Sequence, residues 1–252
     1  MCPLSSKALL ADNAHRRQWA VPARPWLMAQ TWQHLLFAHW PIPVDALRPL
    51  IPAALPIDTF DGQAWLGVVP FEMRNIRFRG SAPAPGLSAF PELNVRTYVN
   101  RDGKPGVWFF SLDAANATAV WFARRFYNLP YFRAQMRVHI HETTIDYFSS
   151  RLLAPATFRG TYQPTSEVYQ STPGTLEYWL TERYYLYAAD RRGRLYRGAI
   201  QHRPWPLQRA QAELTEETTA RSHGLHLPDT PPLLHYAHTI DVLAWPIEAV
   251  NT

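Results

Sequence analysis

Lysine is almost missing from this chain: Lys7 and Lys104 are the whole complement among 25 lysines and arginines. Arginine carries the positive charge, mostly as single residues among aromatics, and the longest cluster is Arg191-Arg192-Gly193-Arg194. A formal charge of +5 spread in this way does not make a nucleic-acid surface, which gathers its basic residues on one face. The cluster reads as a solvated hairpin turn. Arginine suits fixed, bidentate contacts to carboxylates, which places part of the excess in buried ion pairs or an anion-binding pocket. Cysteine is scarcer still: Cys2 stands alone and excludes an intrachain disulfide. No apolar run approaches the ~18 residues that span a bilayer. Residues 1–7 lack the charged start and apolar stretch of a signal peptide. These absences predict a cytoplasmic protein with neither a nucleic acid nor a membrane as partner. Also missing are a Gly-x-Ser-x-Gly elbow, a dinucleotide or phosphate-loop glycine pattern, and His-Glu-x-x-His, so the usual hydrolase, dehydrogenase, kinase and zinc-protease readings have no motif support.

What is present is apolar. Of 252 residues, 47% are hydrophobic and only 18% charged, enough for a large core and at the upper end of one β-rich domain. No linker or repeat divides residues 26–252, which are expected to form a single domain. Residues 1–25 are expected to be a partly ordered extension with a short helix from Leu9 to Trp19. Strand signals begin at Thr31, and Pro43 opens a short helix through Leu50. Asp61-Gly62 supplies the positive φ angles of a tight type I′ turn, predicting a hairpin from residues 57–60 to 63–69. Further strands are predicted over 90–100, 107–113, 132–141, 143–151, 156–162, 184–188, 195–202 and 233–245, with a Pro/Ala/Gly loop over 80–89. A helix is predicted from Ala114 to Tyr127, with Ala119, Phe122, Ala123 and Phe126 on one stripe. Another is predicted from a Thr172-Pro173 cap to about Thr181. The fold class is α+β: a large, mostly antiparallel, barrel-like sheet with two or three helices.

Alternation over Phe90 to Val99 separates Leu93, Val95, Thr97 and Val99 from Glu92, Asn94, Arg96 and Tyr98. A sheet with one wet face would show the same alternation, but such a face usually carries Lys, Glu and Ser. The second set combines a carboxylate, an amide, a guanidinium and a phenol, which suits a barrel interior holding a polar ligand. His139 and His141 share a strand face without a third ligand at matching spacing, so they read as surface histidines and no metal is expected. His202 ends an apolar strand before Arg203-Pro204-Trp205-Pro206. It is either a buried, hydrogen-bonded histidine or a pocket acid/base.

Several segments, in order, resemble the YqjF-like family within the acetoacetate decarboxylase-like superfamily. They are His39-Trp40-Pro41, Asp58-Thr59-Phe60-Asp61-Gly62, residues 90–99, residues 106–114, Leu129-Pro130-Tyr131, residues 180–184 and residues 202–206. The resemblance covers roughly Trp26 to Trp245 and implies a β-barrel core with a central polar cavity. In the decarboxylases of that superfamily a pocket glutamate lies on a strand like that of Glu92. Their catalytic lysine follows a turn like Asn128-Leu129-Pro130, so its place falls here on Tyr131 or Phe132, and neither forms an iminium. A Schiff-base lysine needs burial or a neighbouring cation to lower its pKa, which the ragged start around Lys7 and the turn at Lys104 do not supply. Two readings follow. In the first, the cavity binds, and as an enzyme would transform by lyase- or hydrolase-type chemistry, a small anionic or carbonyl-containing molecule. Glu92, Asn94, Arg96, Tyr131 and His202 would line it, with Arg151 and Arg183 joining them or pairing with Glu182 or another carboxylate. Glu92 or His202 would be the acid/base; no cofactor is expected, and a homo-oligomer is compatible with this reading. In the second, the same residues form a non-catalytic hydrogen-bonded core network.

Overall fold

The computed structural model describes residues 9–10, 19–83 and 88–250. Twelve strands form one hydrogen-bonded sheet: β1 Met28–Ile42, β2 Ala64–Phe78, β3 Phe90–Arg101, β4 Lys104–Ala114, β5 Tyr131–His141, β6 Thr144–Arg151, β7 Thr157–Pro164, β8 Tyr185–Ala189, β9 Leu195–His202, β10 Leu207–Glu217, β11 Leu233–Ala244 and β12 Glu248–Ala249. Helices α1 (Val44–Leu47), α2 (Ala117–Phe126) and α3 (Leu176–Thr181) interrupt them. Pairing is antiparallel except where β4 meets β5 and β8 in parallel.

The sheet closes into a nine-strand mixed barrel through β1–β2–β3–β4–β5–β6–β7–β10–β11. A second, smaller ring runs β1–β2–β3–β4–β8–β9–β11 and closes through the pairing of β9 with β11. Along most of their length the strands common to both rings are buried on both sides, because each side looks into one ring; Arg74 and Phe78 on β2 and His238 on β11 are exposed. Leu36, Val68, Leu93, Val95 and Tyr236 enter the larger ring's core, where Tyr147, Phe158 and Tyr162 from β6 and β7 join them. Leu35, Phe37, Val69, Phe71 and Val242 enter the core of the smaller ring.

Local chemistry sets the turns. Asp61 and Gly62 have φ angles of 50° and 79°, and Asp102 and Gly103 have 56° and 69°, the double positive φ of a type I′ turn. The second turn lets β4 begin at Lys104 rather than Val107. Residues 57–60 make only isolated bridges, Ile57 to Val99 and Phe60 to Gln63, so the first arm of the predicted hairpin is not a strand. The Asn116 side chain accepts from the backbone N–H groups of Thr118 and Ala119, starting α2 at Ala117 instead of Ala114. Likewise Thr175, not Thr172, caps α3. Strands β10 and β12 lie outside the predicted set. The helix expected over Leu9 to Trp19 and the loop over 80–89 fall partly outside the described residues. Residues 19–27 are tied to the sheet: Trp19 Nε1 donates to the Gly103 carbonyl at 3.0 Å and Arg24 Nη2 to that of Pro246 at 2.7 Å. No helix among the described residues is long and apolar enough to cross a membrane.

Candidate functional site

A cavity of about 230 Å³ lies within the smaller ring, walled by side chains from β1, β2, β3, β4, β8, β9 and β11 and from one face of α2. Its wall is predominantly apolar, with Trp32, Phe109, Leu112, Phe122 and Ile200 prominent. This corrects the polar cavity expected from β3. That strand is a single stave, and the others present mainly apolar side chains, so the polar groups are few and set apart.

Alternation on β3 holds in space. Leu93, Val95 and Val99 join the larger ring's core, while Glu92 and Arg96 reach the cavity wall. Asn94 and Tyr98 are buried on the same side as these two but do not line the cavity. Asn94 stands between Val69 and Leu112 in register, and its Oδ1 has no hydrogen-bond partner among the described residues.

Glu92 is 2% exposed. The Tyr131 hydroxyl donates to its Oε2 at 2.7 Å, and its carbonyl accepts from the Tyr147 hydroxyl at 2.7 Å. Burial pushes the Glu92 carboxyl up to about 8; the Tyr131 bond opposes that rise, and Asp113 across the sheet adds to it. At neutral pH Glu92 is therefore mainly an uncharged acid. Burial, followed by Glu92, drives the Tyr131 phenol well above its ordinary value of 10, so it remains a donor. Tyr131 begins β5, directly after the Leu129-Pro130 turn.

Arg96 behaves differently. Its guanidinium lies 5.4 Å from the Phe37 ring centre and 5.8 Å from that of Tyr98. It forms no ion pair among the described residues, and its Nε has no hydrogen-bond partner there. Gly67 makes the space for it: Gly67 is in register with both His39 and Arg96, and a Cβ on it would lie 3.1 Å from His39 Cδ2 and 3.5 Å from Arg96 Cγ. Burial, then the Arg96 charge, hold His39 well below its ordinary range, leaving a neutral imidazole whose Nε2 lies 2.6 Å from the Tyr98 hydroxyl.

The remaining candidates divide. Arg183 lines the cavity beside the Tyr98 ring at 4.9 Å while its Nη1 donates to Asp58 Oδ2 at 2.6 Å. His202 also lines it; its Nδ1 is 2.7 Å from the Arg203 carbonyl, which can only accept, so that nitrogen carries a proton. Arg151 does not reach the cavity. Its Nε donates to Asp113 Oδ1 at 3.0 Å and its guanidinium lies 4.0 Å from the centre of the Phe132 ring. Asp113 is in register with Leu93, not Glu92, so this pair belongs to the larger ring. Glu182 pairs with neither arginine; it accepts from the Tyr184 hydroxyl at 2.5 Å and the Trp205 N–H at 2.9 Å. Lys104 opens β4 with its Nζ 5.6 Å from the Trp19 ring centre, off the cavity wall, and Lys7 lies outside the described residues. His139 and His141 are exposed on β5.

Five polar lining residues went unread in the sequence: Gln30, Thr118, Tyr127, Thr181 and Tyr185. Gln30 Oε1 accepts from Trp32 Nε1 at 2.8 Å; extending the strand signal three residues before Thr31 would have put both on one face. Tyr127 was counted as the end of a helix, and Thr181 as the end of another.

The family model DUF2071, described as an uncharacterized conserved protein, matches residues 29–241. The chain belongs to the DUF2071 family. Uncharacterized protein YqjF from Bacillus subtilis (strain 168) is 46% identical over 239 residues, covering 94% of this chain and 98% of that protein. Among solved structures, acetoacetate decarboxylase from Legionella pneumophila superposes with a TM-score of 0.61 at 12% identity, over 97% of this chain and 95% of that one. The enduracididine biosynthesis enzyme MppR complexed with pyruvate gives a TM-score of 0.63 at 10% identity over 93% of each chain. At these identities the likeness concerns the fold: this DUF2071 chain is an acetoacetate decarboxylase-like barrel.

Proposed function

We propose that this DUF2071 protein binds a small carboxylate- or carbonyl-containing molecule inside the smaller ring, acting in the cytoplasm without a lysine iminium. One observation carries the reading: Arg96 is a buried cation on the cavity wall with no carboxylate partner among the described residues. Burying an unpaired charge is costly, and arginine cannot shed its proton to escape the cost. An anionic ligand would supply the missing partner, a charge-assisted contact worth ~1.5–3 kcal/mol. Glu92, uncharged and held by Tyr131, would present an acidic proton to a ligand oxygen, whereas the Nδ1 proton of His202 is engaged by the Arg203 carbonyl. The pyruvate complex of MppR and the decarboxylase likeness support a carboxylate-bearing ligand by analogy of fold.

The core-network reading accounts for Arg183 on Asp58 and Arg151 on Asp113, but leaves Arg96 unexplained. Titration calorimetry with pyruvate, acetoacetate and other small oxo acids tests the proposal. Binding should weaken by at least tenfold in Arg96→Met, and borohydride trapping with acetoacetate should leave Lys104 unmodified. Equal binding by Arg96→Met, or a stoichiometric adduct on Lys104, would sink it.

A further inference from the structure

We infer that the ligand is elongated: a carboxylate seated on Arg96, an apolar body, and a second oxygen at its far end meeting Glu92 and Tyr131. This rests on the anion-binding reading above and specifies it.

Glu92 and Arg96 are four residues apart on one face of β3, a Cα separation of about 13 Å at the usual strand rise. The wall between them is apolar. Phe109 is the register partner of Arg96, and Leu112 that of Asn94; both line the cavity, and the Asn94 amide does not. The two ends differ in chemistry. At one, Arg96 shares the Tyr98 ring with Arg183, whose guanidinium is already committed to Asp58. At the other, the Tyr131 phenol donates to the Glu92 acid, and neither carries a charge to neutralise an anion. A three-carbon acid held on Arg96 would leave the Glu92 end untouched. With ~2.8 Å hydrogen bonds at each end of a ~13 Å span, roughly five to nine chain atoms would join the two. The volume of about 230 Å³ falls below the roughly 300–1,000 Å³ of drug-sized sites, which suits such a slim molecule and not a large one.

Titration calorimetry on the full chain would compare straight-chain monocarboxylates of three to ten carbons, each with and without a terminal hydroxyl. Affinity should rise with length to an optimum. At that optimum the hydroxyl should add about fivefold, and this gain should vanish in Glu92→Met. Tyr131→Phe, which keeps the ring, should reduce the gain by itself and serves if Glu92→Met does not fold. Binding that is strongest for the shortest acid would overturn the elongated ligand and leave the Arg96 anchor standing. A hydroxyl gain that survives both variants would overturn the placement of the far end. No binding at any length would overturn the inference and the anion-binding reading together.

Discussion

Burial acts in opposite ways on Glu92 and Arg96 of β3. Arginine keeps its proton in any folded environment, and no carboxylate among the described residues meets the charge of Arg96. A carboxyl can take up a proton instead, and Glu92 does. This makes stability depend on pH with a definite sign. The folded-state value of about 8 lies above the unfolded value of about 4.3. Glu92 therefore contributes stability that is complete below pH ~4.3 and lost progressively as pH rises to about 8. Glu92→Gln keeps a neutral acceptor for Tyr131 and should become more stable relative to wild type across that interval, then level off. Chemical denaturation at pH 5, 7 and 9 measures it; a pH-independent difference would refute the assignment. Tyr131→Phe should shift Glu92 higher still, because the lost bond favours the ionised carboxylate. It should also cost ~1 kcal/mol of stability, since its hydroxyl is already engaged in the core. Carboxyl carbon NMR follows the titration, and a downward shift would contradict the geometry. The Glu92–Arg96 pattern was readable because a two-residue period needs only one strand. Arg151 was not, because which ring its strand faces depends on partners distant in the sequence.

Helix α2 shows how an element was legible while its purpose was not. The stripe of Ala119, Phe122 and Ala123 predicted an apolar face, yet Val120 is its only buried residue, and the stripe lines a hollow instead of a core. Phe126, on the same stripe, is 49% exposed. Small residues on this face leave the cavity open. Ala123→Phe should fill part of it and weaken ligand binding by at least tenfold, with the melting temperature near that of wild type, because the ring enters space and not packed atoms. Unchanged affinity in calorimetry would mean that the ligand does not pass beneath α2. Strand β10 escaped prediction for a different reason. Residues 210–217, Ala-Gln-Ala-Glu-Leu-Thr-Glu-Glu, are mostly helix formers, and the alternation of Ala210, Ala212 and Leu214 rests partly on side chains too small to signal a strand. Pairing with β7 and β11 decides the matter, as sheet context commonly overrides propensity.

Across the whole molecule, two rings share one wall, and the shared strands explain why polar side chains of β3 are buried at all. The pairings that complete the smaller ring, β4 on β8 and β9 on β11, join distant segments through two or three residue pairs, too little for any local pattern to announce. Their consequence is that two buried arginines sit in different surroundings. Arg151 sits in the filled ring with both partners in place, Asp113 and the Phe132 ring. Removing one member of such a buried pair strands the other charge and costs about 3–5 kcal/mol. Arg151→Met should therefore unfold at markedly lower urea while ligand affinity, measured on the folded fraction, stays the same. Arg96 sits at the hollow ring with ring faces for company and no carboxylate among the described residues. Arg96→Met gives up those ring contacts, worth roughly 0.5–2 kcal/mol, and removes an uncompensated buried charge. Its stability should fall within about 1 kcal/mol of wild type or above it, although its ligand affinity collapses. Urea unfolding of the two variants, each paired with calorimetry, separates a cation kept for the fold from one kept for a ligand. Equal destabilisation by both would show that Arg96 belongs to the core after all.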